Sequence, residues 1–228
     1  VDRSMLNKNF NIDRDLGIRL RHHFNLSEKF LVRDMFSISQ GEGRNVTAGN
    51  LGGFQYTGRI ELLPFGTFKG KGDYSCSDLK REETPKLAIG ATYDFNHNAV
   101  KDKSNLGSYM ENDSPEGFFE TNITTVFVDA MFKYKGFSFM GEYADRDASD
   151  AIAFNIDGIT PTGQAVKTGN SINLQAGYLM KSNWEVAGRF TTVNFDASTE
   201  ETNQYTLGVS KFLAGHKLKV QSDLSYAT

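Results

Sequence analysis

The chain is poor in the features that most often fix a function from sequence alone. Its one cysteine, Cys76, cannot form an internal disulfide, and without a second thiol there is no CxxC redox or zinc pair. No apolar run approaches the roughly 18 residues that a spanning helix needs, and mean hydropathy is -0.44. Charge of one sign is also missing. The 25 Lys plus Arg against 28 Asp plus Glu leave a formal net charge of -3, too balanced for a nucleic-acid partner, so any electrostatic specialisation is local.

Catalytic signatures are absent too. There is no GxSxG elbow, HExxH pair or P-loop, and Gly41-Glu-Gly43 is only a GxG in a glycine-rich stretch. His22, His23, His97 and His216 are scattered, and a strand would point the adjacent first two to opposite faces. The sequence therefore predicts no catalytic residue, metal site or cofactor. The start, Val1-Asp-Arg-Ser-Met-Leu-Asn-Lys-Asn, lacks a basic stretch followed by an apolar one, as expected of a mature or truncated chain as much as of a cytoplasmic one.

Aromatics and glycine are plentiful: 18 Phe, 9 Tyr and 22 Gly beside only 4 Pro, a strand-and-turn composition. Apolar residues alternate with period two in ten segments, at about 15–24, 29–39, 54–63, 86–95, 121–135, 137–145, 171–181, 184–194, 203–213 and 216–227, with no sustained helical period. Gly53-Phe-Gln-Tyr-Thr-Gly-Arg-Ile-Glu-Leu-Leu-Pro-Phe-Gly66 is representative: Phe54, Tyr56, Ile60 and Leu62 share one parity, and Gln55, Thr57, Arg59 and Glu61 share the other. Most segments run about 9–11 residues, the length at which a tilted strand crosses a bilayer.

Connectors alternate as well. Those at Asn25–Glu28, Lys135-Gly136, Ser182-Asn183 and Ala214-Gly215 are short, whereas those at 40–53, 96–120, 147–170 and 195–202 are long and polar. With 64–85 assigned to the short-turn side, the pattern is an antiparallel up-and-down meander. A soluble sandwich would bury the apolar parity, and a transmembrane barrel would turn it toward lipid; parity alone does not separate them. Strand length, loop asymmetry and aromatics near strand ends, such as Phe24, Phe30, Tyr134 and Phe137, favour an all-β transmembrane barrel.

Gly58-Arg-Ile-Glu-Leu-Leu-Pro-Phe-Gly66, Gly72-Asp-Tyr74, Arg81-Glu-Glu-Thr-Pro-Lys-Leu-Ala-Ile-Gly-Ala-Thr-Tyr93, Gln175-Ala-Gly-Tyr178 and Trp184-Glu-Val-Ala-Gly-Arg-Phe190 carry a resemblance to a known family. In order and spacing they resemble the phosphate-selective porin O and P family of Gram-negative outer membranes. The resemblance implies a 16-stranded barrel of which about ten strands are present, residues 1–228 forming part of a single barrel domain. The final Ser225-Tyr-Ala-Thr228, without the family's terminal aromatic, agrees with that expectation. It also implies a passive channel for small hydrophilic, phosphate-like anions, with outer-membrane lipid around it and a homotrimer or larger envelope complex as its assembly. The alternative is a porin-like barrel serving as a structural subunit of such a complex.

Counted from the nearest short turn, Arg19, Arg33, Arg59 and Arg189 share the polar parity and are expected in one belt near mid-height, with Arg21 on the same face as Arg19. Asp129 and Glu142 fall at a similar height, which predicts a constriction with an arginine wall facing a carboxylate wall. Lys133, Lys181, Lys217 and Lys219 are expected to extend a basic path at the short-turn mouth. The same charges could equally pair with neighbours to satisfy a wet interior. Of the loops, 147–170, with Ala151-Ile-Ala-Phe-Asn-Ile156, is expected to fold inward, with 96–120 as the competing candidate. The charged run Asp78-Leu-Lys-Arg-Glu-Glu83 in 64–85 reads as a solvated turn.

Overall fold

The computed structural model describes residues 3–44, 46, 51–115, 117–198 and 201–228. One short helix, α1 (Met5–Asn9), precedes the strands, and Ser4 caps it by accepting the Asn7 N–H at 3.2 Å. Ten strands then form a single antiparallel sheet: β1 (Gly17–Asn25), β2 (Leu31–Ser39), β3 (Gln55–Leu63), β4 (Lys86–Ala99), β7 (Thr121–Tyr134), β8 (Phe137–Ala148), β11 (Gly169–Leu179), β12 (Trp184–Phe195), β13 (Glu201–Ala214) and β14 (Leu218–Ala227). Each pairs with its predecessor, and β1 and β14 end the sheet without pairing to each other. Two hairpins branch from the long connectors, β5 (Lys101–Lys103) with β6 (Leu106–Tyr109) and β9 (Ile152–Phe154) with β10 (Pro161–Ala165).

The ten alternating segments of the sequence are these ten strands. At about 3.3 Å per residue and a tilt near 40°, the shortest of them, nine residues long, project roughly 23 Å onto the barrel axis, close to the height of a barrel's apolar band. The tightest connection, Lys135-Gly136, places both residues at positive φ (47° and 90°), the geometry that lets a two-residue turn follow the strand twist. A Cβ at Gly136 would also lie 2.6 Å from the Leu179 carbonyl.

The two faces of the sheet are packed inversely to a soluble domain. Outward side chains are apolar yet exposed, from Ile18 (77%) on β1 through Ile60, Tyr93, Tyr178 and Val186 to Leu224 (78%) on β14. Inward side chains are polar yet buried: Asp94, Thr125, Asn173 and Thr191 are each 0% exposed. Only a surrounding apolar solvent makes such a surface stable, since that much exposed apolar area would drive association in water. Trp184 and Tyr178 stand exposed near the short-turn end, and Lys211 extends its ammonium over the Trp184 ring, 5.3 Å from its centroid, as an interfacial residue does. One ionisable pair breaks the outer apolar pattern, His22 with Asp34 at 3.1 Å, which explains why Asp34 shares the parity of Val32.

Three segments fill the inner face. Leu6 and Phe10, in and after α1, pack with Ala144 and Val193, and Phe10 stacks on Phe195 with centroids 5.9 Å apart. The 64–85 connector is not a solvated turn. Phe68 packs with Leu63 and Met131, and Asp78 and Glu82 are nearly fully buried, accepting backbone N–H bonds from Glu82 and Gly136 (Asp78) and from Lys69 (Glu82). Arg81 then fixes the connector by donating to the Leu179 and Met180 carbonyls at 2.8 and 2.6 Å. The long loop that turns inward is 96–120. Its β5–β6 tip, Ser104 and Asn105, is buried, and Asn105 donates to the side chain of Gln55 at 3.0 Å. The 147–170 loop buries Ala153 and Val166 against Ala99, Met110 and Ile123, but leaves Ile152, Ile156 and Ile159 exposed, contrary to the inward fold expected of it. In the 40–53 and 195–202 connectors, residues 45, 47–50, 199 and 200 lie outside the described residues.

Candidate functional site

The strand register arranges the inner face as rows running across the sheet. One row reads His23, Arg33, Glu61, Gly90, Asp129, Glu142, Asn173 and Thr191, on β1, β2, β3, β4, β7, β8, β11 and β12. The next row toward the long loops holds Arg21, Met35, Arg59 and Thr92, and the row beyond holds Arg19, Ser37, Thr57, Asp94, Thr125 and Arg146. Arg189, opposite Gln175 and Thr206, lies one row the other way. The arginines thus do not share one hydrogen-bonded row of the sheet. They spread over four rows about 6.6 Å apart, because counting from turns ignores the register offset between strands.

Arg33 and Arg59 come together through shared carboxylates. Arg59 donates from Nε to Glu61 at 2.9 Å, from Nη1 to Thr92 Oγ1 at 2.9 Å, and from both Nη atoms to Asp129 at 2.6 and 2.9 Å. Arg33 donates to Asp73 at 2.5 Å, to Glu61 at 3.4 Å and to the Tyr74 hydroxyl at 3.2 Å, so the inward connector supplies part of the cluster. Glu142, directly opposite Asp129, accepts from the amides of Asn7 (3.2 Å) and Asn173 (2.8 Å). Two arginines therefore face four carboxylates, with Asp129 and Glu142 as a like-charged cross-strand pair, an arrangement that favours a neighbouring cation.

Arg19 and Arg21 differ from these. Both are exposed on β1, and among the described residues no carboxylate lies within ion-pairing distance of either. At the short-turn mouth Lys181 and Lys217 are exposed in turns, and Lys219 lies over the Phe212 ring. Burial, then the ammonium groups of Lys133 and Lys219, pushes the His216 imidazole below its ordinary value. Lys133 is not an open mouth residue. It is 1% exposed, covered by the connector, and donates to Ser75 Oγ at 3.1 Å and the Ser77 carbonyl at 2.8 Å.

Several inner residues escaped the sequence reading. Arg146 is 1% exposed beneath Phe10, donating to the Asn9 carbonyl at 3.0 Å and to Thr125 Oγ1 at 3.3 Å. Its parity with Glu142 was legible, but only in a strand carried on to Ala148. Asp94 accepts from Gln55 at 2.8 Å and Thr57 at 2.7 Å. Asp13 bonds Arg44 and binds the 96–120 tip through Asn105; burial alone would raise its carboxyl, but the Arg14 N–H and the Arg44 guanidinium hold it below the usual range. Between 6–19, the inner face of β2–β8 and residues 73–76 lies a cavity of about 750 Å³, lined by Arg19, Arg59, Asp73, Cys76, Asp129 and Glu142 among others.

A meander with an apolar outer belt, a polar lumen and inward-folded connectors that narrow it defines an outer-membrane pore protein. The chain belongs to the Gram-negative porin family, whose profile matches residues 19–227. It therefore belongs in the outer membrane of a Gram-negative bacterium, among lipid. Comparison with curated proteins and with solved structures returned no match.

Proposed function

We propose that the chain belongs to a passive, water-filled channel that admits small hydrophilic solutes with a bias toward anions, phosphate-like oxyanions being the solute class. The observation that carries this reading is the contrast among luminal cations. Arg33 and Arg59 are neutralised by Asp73, Glu61 and Asp129, whereas Arg19 and Arg21, on the inner parity of β1, have no carboxylate partner among the described residues. Unpaired arginines raise the local concentration of anions at the entrance to the narrow zone, while the paired ones shape it. The resemblance to phosphate-selective porins supports the oxyanion class.

The test is the reversal potential of the full-length protein in a planar bilayer under a KCl gradient. The native channel is expected to favour chloride, and Arg19→Glu with Arg21→Glu to shift the potential toward potassium. A native channel that prefers potassium overturns the anion bias, and absence of conductance overturns the channel.

A further inference from the structure

The cavity offers a solute more than water. One wall carries Asp73, Asp129 and Glu142, and its arginine, Arg59, already spends its donors on Glu61, Thr92 and Asp129. Asp73 uses one carboxylate oxygen for Arg33; the other, Oδ1, is buried with no hydrogen-bond partner among the described residues, in a side chain 5% exposed. Glu142 is held by two neutral amides and, among the described residues, by no cation within ion-pairing distance. What Glu142 and Asp73 Oδ1 lack, among the described residues, is a positively charged donor. A buried acceptor without a donor is costly, and a ligand ammonium would satisfy it. The β1 side of the same cavity carries Arg19, a guanidinium with no carboxylate partner among the described residues. A volume near 750 Å³ lies within the range of small-molecule sites.

We propose that this cavity recognises small solutes that carry a protonated amine together with a carboxylate, amino-acid-like zwitterions, with the amine at Asp73 and Glu142 and the carboxylate toward Arg19. The inference rests on the reading of the chain as a diffusion channel and adds amino-acid-like zwitterions to the anions it admits. Proteoliposomes of the full-length protein, swollen in isosmotic serine, glycerate or arabinose, compare a zwitterion, its amine-free anion and a neutral solute. Serine is expected to enter severalfold faster than arabinose. Glu142→Gln is expected to bring the serine-to-arabinose ratio toward one, and Asp73→Asn to do the same; if Asp73→Asn fails to assemble, Glu142→Gln alone decides. An unchanged serine-to-arabinose ratio in Glu142→Gln, or an equal fall in the glycerate-to-arabinose ratio, overturns the zwitterion site while leaving the channel intact. Exclusion of arabinose as well as serine overturns the channel itself.

Discussion

Arg59 grips Asp129 with both Nη atoms, at 2.6 and 2.9 Å, although their strands, β3 and β7, do not touch. Gly90 of β4 lies between them, and a Cβ there would stand 2.3 Å from Arg59 Nη2 and 2.8 Å from Asp129 Oδ2. The glycine is the gap over which the pair closes. Because the obstructing atoms are the ends of flexible side chains, Gly90→Ala is expected to assemble normally but to part the pair, changing single-channel conductance in the same direction as Asp129→Asn. Conductance equal to the native protein's would show that the pair finds another path.

The same contact should be measurable as energy. Both partners are partly open to the lumen, with side chains 22% and 36% exposed, so screening reduces what bidentate geometry contributes. A double-mutant cycle with Arg59→Gln and Asp129→Asn, read by urea unfolding in vesicles, is expected to give a coupling of about 1 kcal/mol.

Cys76 lines the cavity on the inward connector and is the only thiol in the chain. A bulky methanethiosulfonate reagent added to the open channel is expected to lower its conductance stepwise, and Cys76→Ser to be insensitive. Full insensitivity of the native channel would place the thiol out of reach of the permeation path.

Phe10 is 0% exposed and anchors the segment before β1 to the inner wall. Phe10→Ala removes that anchor at a cost of roughly 3 kcal/mol and uncovers Arg146. Conductance is expected to rise, with greater open-channel noise; a lower conductance would mean that the segment holds the lumen open instead.

The 40–53 loop provides a pH test. Burial, outweighing hydrogen bonds from the Gly52 and Leu51 N–H groups, raises the Glu42 carboxyl above its ordinary value. A raised carboxyl means that the folded loop binds the proton more tightly, so stability is present at low pH and falls as pH climbs from the ordinary carboxylate range through the raised value. Hydrogen-exchange protection of Leu51 and Gly52, corrected for intrinsic rates, is expected to drop over that interval. Glu42→Gln should flatten the dependence.

The wall was legible in the sequence because lipid demands what alternation records: Ile18, Leu20, Tyr56, Ile60, Tyr93 and Tyr205 all point outward from strands of the expected span. The contents of the lumen were not. Asp78, Glu82, Ser104 and Asn105 have the composition of surface turns, yet each is at most 2% exposed, because inside a polar lumen a buried turn and a solvated one use the same residues. Register was the other limit. Height counted from turns put Arg19 and Arg189 beside Arg59, whereas strand pairing puts Arg19 one row from it and Arg189 two rows away on the other side.

The connector over Lys133 bears on how the protein is built. That ammonium finds its acceptors at Ser75 and Ser77, 58 and 56 residues earlier in the chain, and among the described residues no hydrogen-bond acceptor on the wall takes their place. Residues 64–85 are therefore expected to settle onto β3, β4 and β7 in the same step that buries this ammonium. A chain whose strands paired first would hold a hydrated ammonium on its inner wall, and its lumen would be wider at that end until the connector docked.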